Sequence, residues 1–235
     1  MKQIPLTKGR IAIVDDEDYE YLVSVGRWCY ASSGYAAHYF TNAEGQRRTL
    51  WMHRLVMARR IGQPTPRGIT VDHINRDRLD NRRENLRLAT YSEQQSNKGL
   101  NKNNSTGLKG VTHVSPDQFE ARIKINRRRI YLGRHATAEA AAEIFAAASI
   151  LLNQDFAGGL AVAEADISLK AWEHLHRIFT RNKNARALLQ ARRGDAGMKE
   201  LAEQIQRLRR EQGTAEFMAK VEALMMASRP NRRPW

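Results

Sequence analysis

The stretch that runs Val71-Asp72-His73-Ile74-Asn75 and closes on Asn85-Leu86-Arg87 constrains this chain more than any other. Two short apolar runs, residues 69–74 and 86–90, flank a loop made almost wholly of Asn, Asp and Arg. Runs of that length rich in β-branched residues read as strands. Asn and Asp satisfy the loop between them through side-chain turns and left-handed backbone. Ser92 then reads as the cap of a helix through Asn97. The local order is strand, polar loop, strand, helix.

An acidic residue directly before a histidine gives this unit its chemistry. A carboxylate such as Asp72 ligates a hard cation well. A neutral imidazole such as His73 can take a proton from water near pH 7. Metal-assisted hydrolysis of a phosphodiester needs both groups.

The charge supplies a partner for that chemistry. The chain of 235 residues carries 39 Lys+Arg against 25 Asp+Glu, a formal net charge of +14. A polyanion is the natural partner. The positive field is uneven: residues 1–50 are neutral, whereas residues 98–134 hold nine basic and two acidic side chains, a net +7. Residues 135–163 follow with only Glu139, Glu143 and Asp155. This pattern suggests a separate binding module with one DNA face and one core face. The single Cys29 excludes an intramolecular disulfide and a multi-cysteine zinc site. The first residues, MKQIPLTKGR, show no apolar signal region, and no run approaches membrane-spanning length. The expectation is a cytoplasmic protein, with no membrane and no small-molecule substrate.

The rest of the chain reads more coarsely. Strands are expected at 10–14, 35–41 and 47–51, and a helix at 52–61 closed by Gly62. Residues 108–114, 119–126 and 129–133 read as a three-stranded meander. Phe119, Ala121, Ile123 and Ile125 alternate there with Glu120, Arg122, Lys124 and Asn126. Thr137 caps an alanine-rich helix to Asn153, whose Ile144/Phe145/Ala148/Leu151/Leu152 stripe is core. After Gly158-Gly159 the chain is mostly helical, broken near 194–197, and ends in a Pro/Arg tail. Trp172, Leu175, Phe179, Leu201, Ile205, Phe217, Val221 and Leu224 fall at amphipathic spacings. The N-terminal aromatics read as core, and His53, His113 and His135 as structural or ordinary polar positions.

The composite "HRLVM…VDHINRDRLDNRRENLRLAT" resembles the HNH homing endonucleases of phage type, in the subgroup with a DH…N…N pattern. The resemblance covers 53–97. It implies a β-β-α-metal core, with Asp72 a metal ligand, His73 the general base and Asn85 holding the loop in shape. The family's last ligand is usually Asn or His, and Gln94 stands there. Mg²⁺, or another divalent cation such as Mn²⁺, is the implied cofactor. Arg76, Arg78, Arg82 and Arg83 are candidate phosphate contacts beside that centre.

Residues 105–157 resemble the APETALA2/ethylene-response-factor DNA-binding domain, through Lys109-Gly110-Val111, Phe119-Glu120-Ala121-Arg122-Ile123-Lys124, Tyr131-Leu132-Gly133 and Thr137-Ala138-Glu139. That family lays a three-stranded sheet in the major groove of DNA and backs it with one helix. The resemblance implies DNA contacts at Lys109, Thr112, Arg122, Lys124, Arg129 and Tyr131. Thr112 and Val114 replace usual arginines, and Tyr131 a usual tryptophan, so the target sequence of the plant proteins does not transfer.

The expected class is α+β. Residues 1–97 hold N-terminal strands and the nuclease core (about 51–97), 98–107 a linker, 108–160 the sheet-and-helix module, and 161–235 a helical region of open role. The function expected is a metal-dependent endonuclease acting on double-stranded DNA. The alternative is a non-catalytic DNA-binding regulator with a degenerate HNH fold.

Overall fold

The computed structural model describes residues 1–158, 160 and 162–227; of the side chains of 217 and 220–227 nothing is described. Gly159 and the Pro/Arg tail lie outside the described residues, as do the side chains of the expected core positions Phe217, Val221 and Leu224. The chain forms two units, Met1–Gly99 and Leu100–Trp235. It is a mixed α/β protein of several small sheets and helices. No helix among the described residues is long and apolar enough to cross a membrane.

The first unit opens with an antiparallel pair, β1 (Lys2–Pro5) and β2 (Ile11–Val14). Helix α1 (Asp16–Val25) follows, where the sequence reading expected only strands. Asp16, Glu17 and Asp18 in its first turn complement the positive end of the helix dipole. Leu22 faces inward and is fully buried. Strands β3 (Cys29–Tyr30), β4 (Ala36–Thr41) and β5 (Arg47–Trp51) make an antiparallel sheet. Helix α2 (Met52–Ile61) runs over the expected residues and ends on left-handed Gly62. The core collects Ile4, Val14, Leu22, Trp28, Met52 and Val56, with Val71 and Leu86 from the next hairpin.

That hairpin is β6 (Ile69–His73) against β7 (Leu86–Thr90), with Asp72 opposite Arg87 and His73 opposite Leu86. Helix α3 (Tyr91–Asn97) begins at once. Its cap is Thr90, not Ser92. The Thr90 hydroxyl accepts from the Glu93 N–H at 3.3 Å, and the Glu93 carboxylate accepts from the Thr90 N–H at 2.8 Å. The Thr-x-x-Glu spacing lets both orphan groups be satisfied reciprocally, which Ser92 cannot match. Strand, loop, strand and helix therefore follow in the expected order.

The second unit is a meander of β8 (Val111–Ser115), β9 (Gln118–Ile125) and β10 (Arg128–His135), in the order β10-β9-β8. Ala121, Ile123 and Ile125 of β9 are buried, and Arg122 and Lys124 are exposed. Helix α4 (Ala138–Asn153), capped by Thr137, covers the buried face. Gly110 permits a close approach: at φ +73°, an added Cβ would lie 2.0 Å from the Phe145 ring.

Helices α5 (Leu169–Arg181), α6 (Lys183–Arg193) and α7 (Ala196–Ala227) complete the unit. Trp172, Leu175, Phe179, Leu189 and Leu201 join one apolar core with the sheet and α4. Each such side chain, fully buried, contributes about 1.5–3 kcal/mol. The region after residue 160 thus folds back onto the meander instead of standing apart from it.

Candidate active site

Asp72 and His73 end β6 side by side, 6% and 4% exposed, at a cleft of about 780 Å³. Strand residues normally alternate faces. Here both side chains are enclosed by different neighbours. Asp72 Oδ2 accepts from Arg87 Nε and Nη2, both at 3.0 Å, and from Asn97 Nδ2 at 3.0 Å. Asn97 Nδ2 also donates to the His73 carbonyl at 2.8 Å. All its neighbours are acceptors, so the amide can only face them with its nitrogen. Burial lifts the Asp72 carboxyl above its ordinary range, while Arg87 and Asn97 pull it back.

His73 lies among aromatic neighbours. Its ring centroid is 5.3 Å from His53 and 5.7 Å from Tyr35. Its Nε2 is 3.4 Å from Asn81 Oδ1, and the Asn81 amide nitrogen donates to the Leu79 carbonyl at 3.0 Å. That second bond fixes which end of Asn81 faces the imidazole. Burial pushes the His73 pKa below the usual histidine value, with Asn81, Asp77 and Asp80 acting against it and Arg78 with it. His73 is therefore neutral at pH 7. His53 on α2 is buried as well, and its pKa falls to about 3 through burial, then through His73 and Arg54. Its Nδ1 has no hydrogen-bond partner among the described residues.

The loop between β6 and β7 is tightly held. Asn85 Oδ1 accepts from the Asn75 N–H at 3.0 Å, and Asn85 Nδ2 donates to the Asp80 carbonyl at 2.7 Å. Asn75 Nδ2 donates to Asp80 Oδ2 at 2.8 Å. Asp77 turns on the Asn75 side chain, and Leu79 on that of Asp77. Strand β2 pins the loop from outside: the Ile13 N–H donates to Leu79, and the Asn81 N–H to Ile13, each at 2.8 Å. Buried polar groups satisfied this completely fix one backbone path.

Gln94 is half-buried on α3 and lines the same cleft as Asp72 and His73, as do Arg76 and Arg78. Arg78 lies over the Tyr35 ring at 4.9 Å and donates to the Ser33 carbonyl. Arg82 and Arg83 do not share that position. Arg82 pairs with Asp80 at 2.8 Å, and with Glu84. Arg83 pairs with Asp18 and Glu17, both at 2.7 Å. Burial opposes ionisation of Asp18, yet Arg83 and Arg59 together hold its carboxyl below the usual range. The two arginines expected as phosphate contacts are thus engaged by acids, two of them on the unexpected helix α1.

On the second unit, Arg122, Lys124, Arg129 and Tyr131 are exposed on one face, with Arg129 opposite Lys124 and Tyr131 opposite Arg122. Glu120, 5% exposed, pairs with Arg122 and lies 3.6 Å from Arg134. Thr112 is exposed on β8. Lys109 is placed differently: it precedes β8, is half-buried, and donates to the Gly158 carbonyl at 2.6 Å.

Asn97, Arg87, Asn81 and Tyr35 were missed as site residues. Hairpin register could have found Arg87 opposite Asp72. Helix periodicity could have found Asn97, three residues after Gln94 and on its face. Tyr35 comes from a distant strand region, and no local signal marks it.

A family model described as HNH endonuclease matches residues 50–96. The chain is also 31% identical, over 138 residues, to an uncharacterized HNH endonuclease of Acanthamoeba polyphaga mimivirus, covering 59% of this chain and 68% of that protein. No solved structure matches. The chain belongs to the HNH endonuclease family. That family is a family of nucleases, so DNA is the implied substrate.

Proposed function

We propose that the chain is a metal-dependent endonuclease that cuts double-stranded DNA with the Asp72–His73 cleft and positions it with the basic sheet of the second unit. The observation that carries this reading is the buried His73 beside the buried Asp72, both opening on one cleft. His73 takes the proton of the attacking water. Asn81 holds the imidazole with Nε2 protonated, leaving Nδ1 as the base. Asn97 and Arg87 orient Asp72, and Asn85 shapes the loop. Arg76 and Arg78 hold the phosphate backbone beside the scissile bond.

The donors at the cleft suit a hard cation such as Mg²⁺, because the Asp72 carboxylate and the Gln94 amide carbonyl are both oxygen ligands. When bound, that ion supplies charge stabilisation to the leaving oxygen. The acidic cluster Asp15/Glu17/Asp18 is a poorer candidate, since Arg59 and Arg83 already neutralise it.

The second unit reads as an APETALA2-like module. Arg122 and Arg129 suit base-edge contacts, and Lys124 suits phosphate. Glu120 presents Arg122 in a fixed direction, which favours bidentate recognition. Incubating the full chain with supercoiled DNA and Mg²⁺ tests the whole reading. Relaxation or linearisation that a chelator abolishes is the expected result. Binding without cutting at any metal concentration would favour the degenerate, non-catalytic alternative.

A further inference from the structure

A second cleft, of about 590 Å³, opens in the second unit where the α5–α6 corner meets Tyr131 of β10. Three permanent cations line it, Arg177, Arg181 and Lys183, and no carboxylate does. All three are exposed. Some other exposed cations on these helices are matched, Arg209 with Glu173 at 2.7 Å, Lys199 with Glu203 and Arg207 with Glu211, and others, such as Lys170, Arg186 and Arg210, stand singly away from the cleft. Among the described residues no acid pairs with the three at the cleft.

Their placement is built into the fold. His174, Arg177, Ile178 and Arg181 follow the three-and-four spacing of one helix face. The like charges Arg177 and Arg181, four apart on one helix face, repel each other. An anionic partner removes that repulsion. Helix α5 is also fastened to the sheet edge at this point. His174 Nε2 lies 3.0 Å from the Leu132 carbonyl oxygen, next to a register shift between Tyr131 and Gly133. Gly133 has φ +111°, and a Cβ there would come within 3.0 Å of His174 Nε2. The bulge and the glycine let α5 approach the strand edge. The helix N-terminus of α6 adds little, because Asn182 already caps Asn184 and Ala185.

We propose that Arg177, Arg181 and Lys183 form a phosphate-contacting shelf that extends the DNA face of the sheet, so that the duplex backbone leaving Tyr131 runs onto the α5–α6 corner. This rests on the reading of the sheet as a DNA-binding face. It gives the helical region after residue 160 a direct part in binding. Tyr131 is the link, since it stands on the exposed face opposite Arg122 and also lines the cleft.

The test measures affinity of the full chain for a short duplex, in chelator to prevent cutting, across a salt series. Neutralised phosphates contribute about 0.9 each to the slope of log affinity against log salt. Arg177→Ala/Arg181→Ala should therefore flatten the slope by about 1.8, and Lys183→Ala alone by about 0.9. Lys199→Ala, on α7 and already ion-paired, serves as the control and should leave the slope unchanged. Arg122→Ala/Lys124→Ala reports on the sheet in the same assay. If the sheet variant loses slope while both corner variants keep the wild-type slope, the shelf is overturned and the sheet reading stands. If the sheet variant keeps its slope and the corner variants lose theirs, the corner binds DNA on its own and the extension of the sheet is overturned. Unchanged thermal melting of the corner variants shows that slope loss is not unfolding.

Discussion

Beside their apolar cores, the two units differ in how much polar surface they bury. Around the first cleft the interior is polar: His53, Asp72, His73, Asn81, Asn85 and Asn97 are all buried there. The second unit buries mostly Ala, Leu, Ile and aromatic residues and leaves its cations in solvent. A reacting group must be held in one place and one protonation state, so its charge is paired and desolvated. A backbone-binding group must remain available to a phosphate, so its charge is left exposed. The paired arginines show the same division inside one loop. Arg82 and Arg83 are paired with acids, whereas Arg76 and Arg78 line the cleft.

The largest test of this contrast is removal of the base. His73→Ala should lower cleavage by about 10²–10⁴-fold. Affinity for duplex should change little, because binding rests on cations elsewhere. Single-turnover cleavage and a binding titration on the same preparation check both halves. Cutting at the wild-type rate would overturn the assignment of His73. Loss of binding along with cutting would erase the division between the units.

Strain in the apolar unit comes next. Gly110→Ala places a Cβ at the Phe145 ring and forces a left-handed backbone on alanine. Overpacking costs about 1–3 kcal/mol, and the backbone about 1–2 more. Gly107→Ala, at φ +68° with open space around it, carries the backbone cost alone. Urea unfolding of the two variants should differ by the packing part. Equal losses would mean that Phe145 moves aside freely.

How far the sequence revealed this contrast depended on the range of each signal. Helix α2, strand β7 and helix α4 fall on the expected residues because local pattern and caps agree there. Asp72, His73 and Gln94 reach one cleft because the hairpin and the helix after it are contiguous in the chain. Helix α1 was missed because Asp16–Glu20 is too polar to show helical periodicity, with Leu22 its buried apolar anchor. With α1 unseen, the partners of Arg83 at Asp18 and Glu17 were unseen too. The carbonyl partner of Lys109 was unseen for a similar reason: it lies at Gly158, far along the chain.

The buried histidine gives the polar unit a pH signature, and burial lowers the His135 pKa of the second unit in the same direction. His53 has a folded pKa of about 3, below the 6.5 of an exposed histidine. The unfolded chain therefore binds a proton that the folded chain excludes. This contribution is complete above pH 6.5 and is lost as pH falls toward 3. The groups around His53 are His73, Tyr35, Trp51 and Arg54, none of them an acid that would offset the effect. Between pH 6 and pH 5 the loss should be roughly 1 kcal/mol. In His53→Phe, which keeps a ring without the titration, the loss over that interval should shrink. An identical pH slope in wild type and variant would show that His53 is protonated freely in the folded chain.

The smallest expected effect falls on the residue that departs from the family pattern. Gln94 lines the cleft with Asp72 but is only half-buried, and Asn97 on the same helix face already secures the carboxylate. Mg²⁺ retains several waters when bound by protein. A water can therefore replace one lost amide oxygen at modest cost. Gln94→Ala should raise the Mg²⁺ concentration for half-maximal cleavage by roughly threefold, with little change in the rate at saturation. Gln94→Asn, which keeps the carbonyl on a shorter arm, should titrate like wild type or better. Asn97→Ala should act differently: with Asp72 less well oriented, the saturated rate itself should fall. A titration in which Gln94→Ala is indistinguishable from wild type would remove Gln94 from the ligand set and leave Asp72 the sole protein oxygen assigned to the ion.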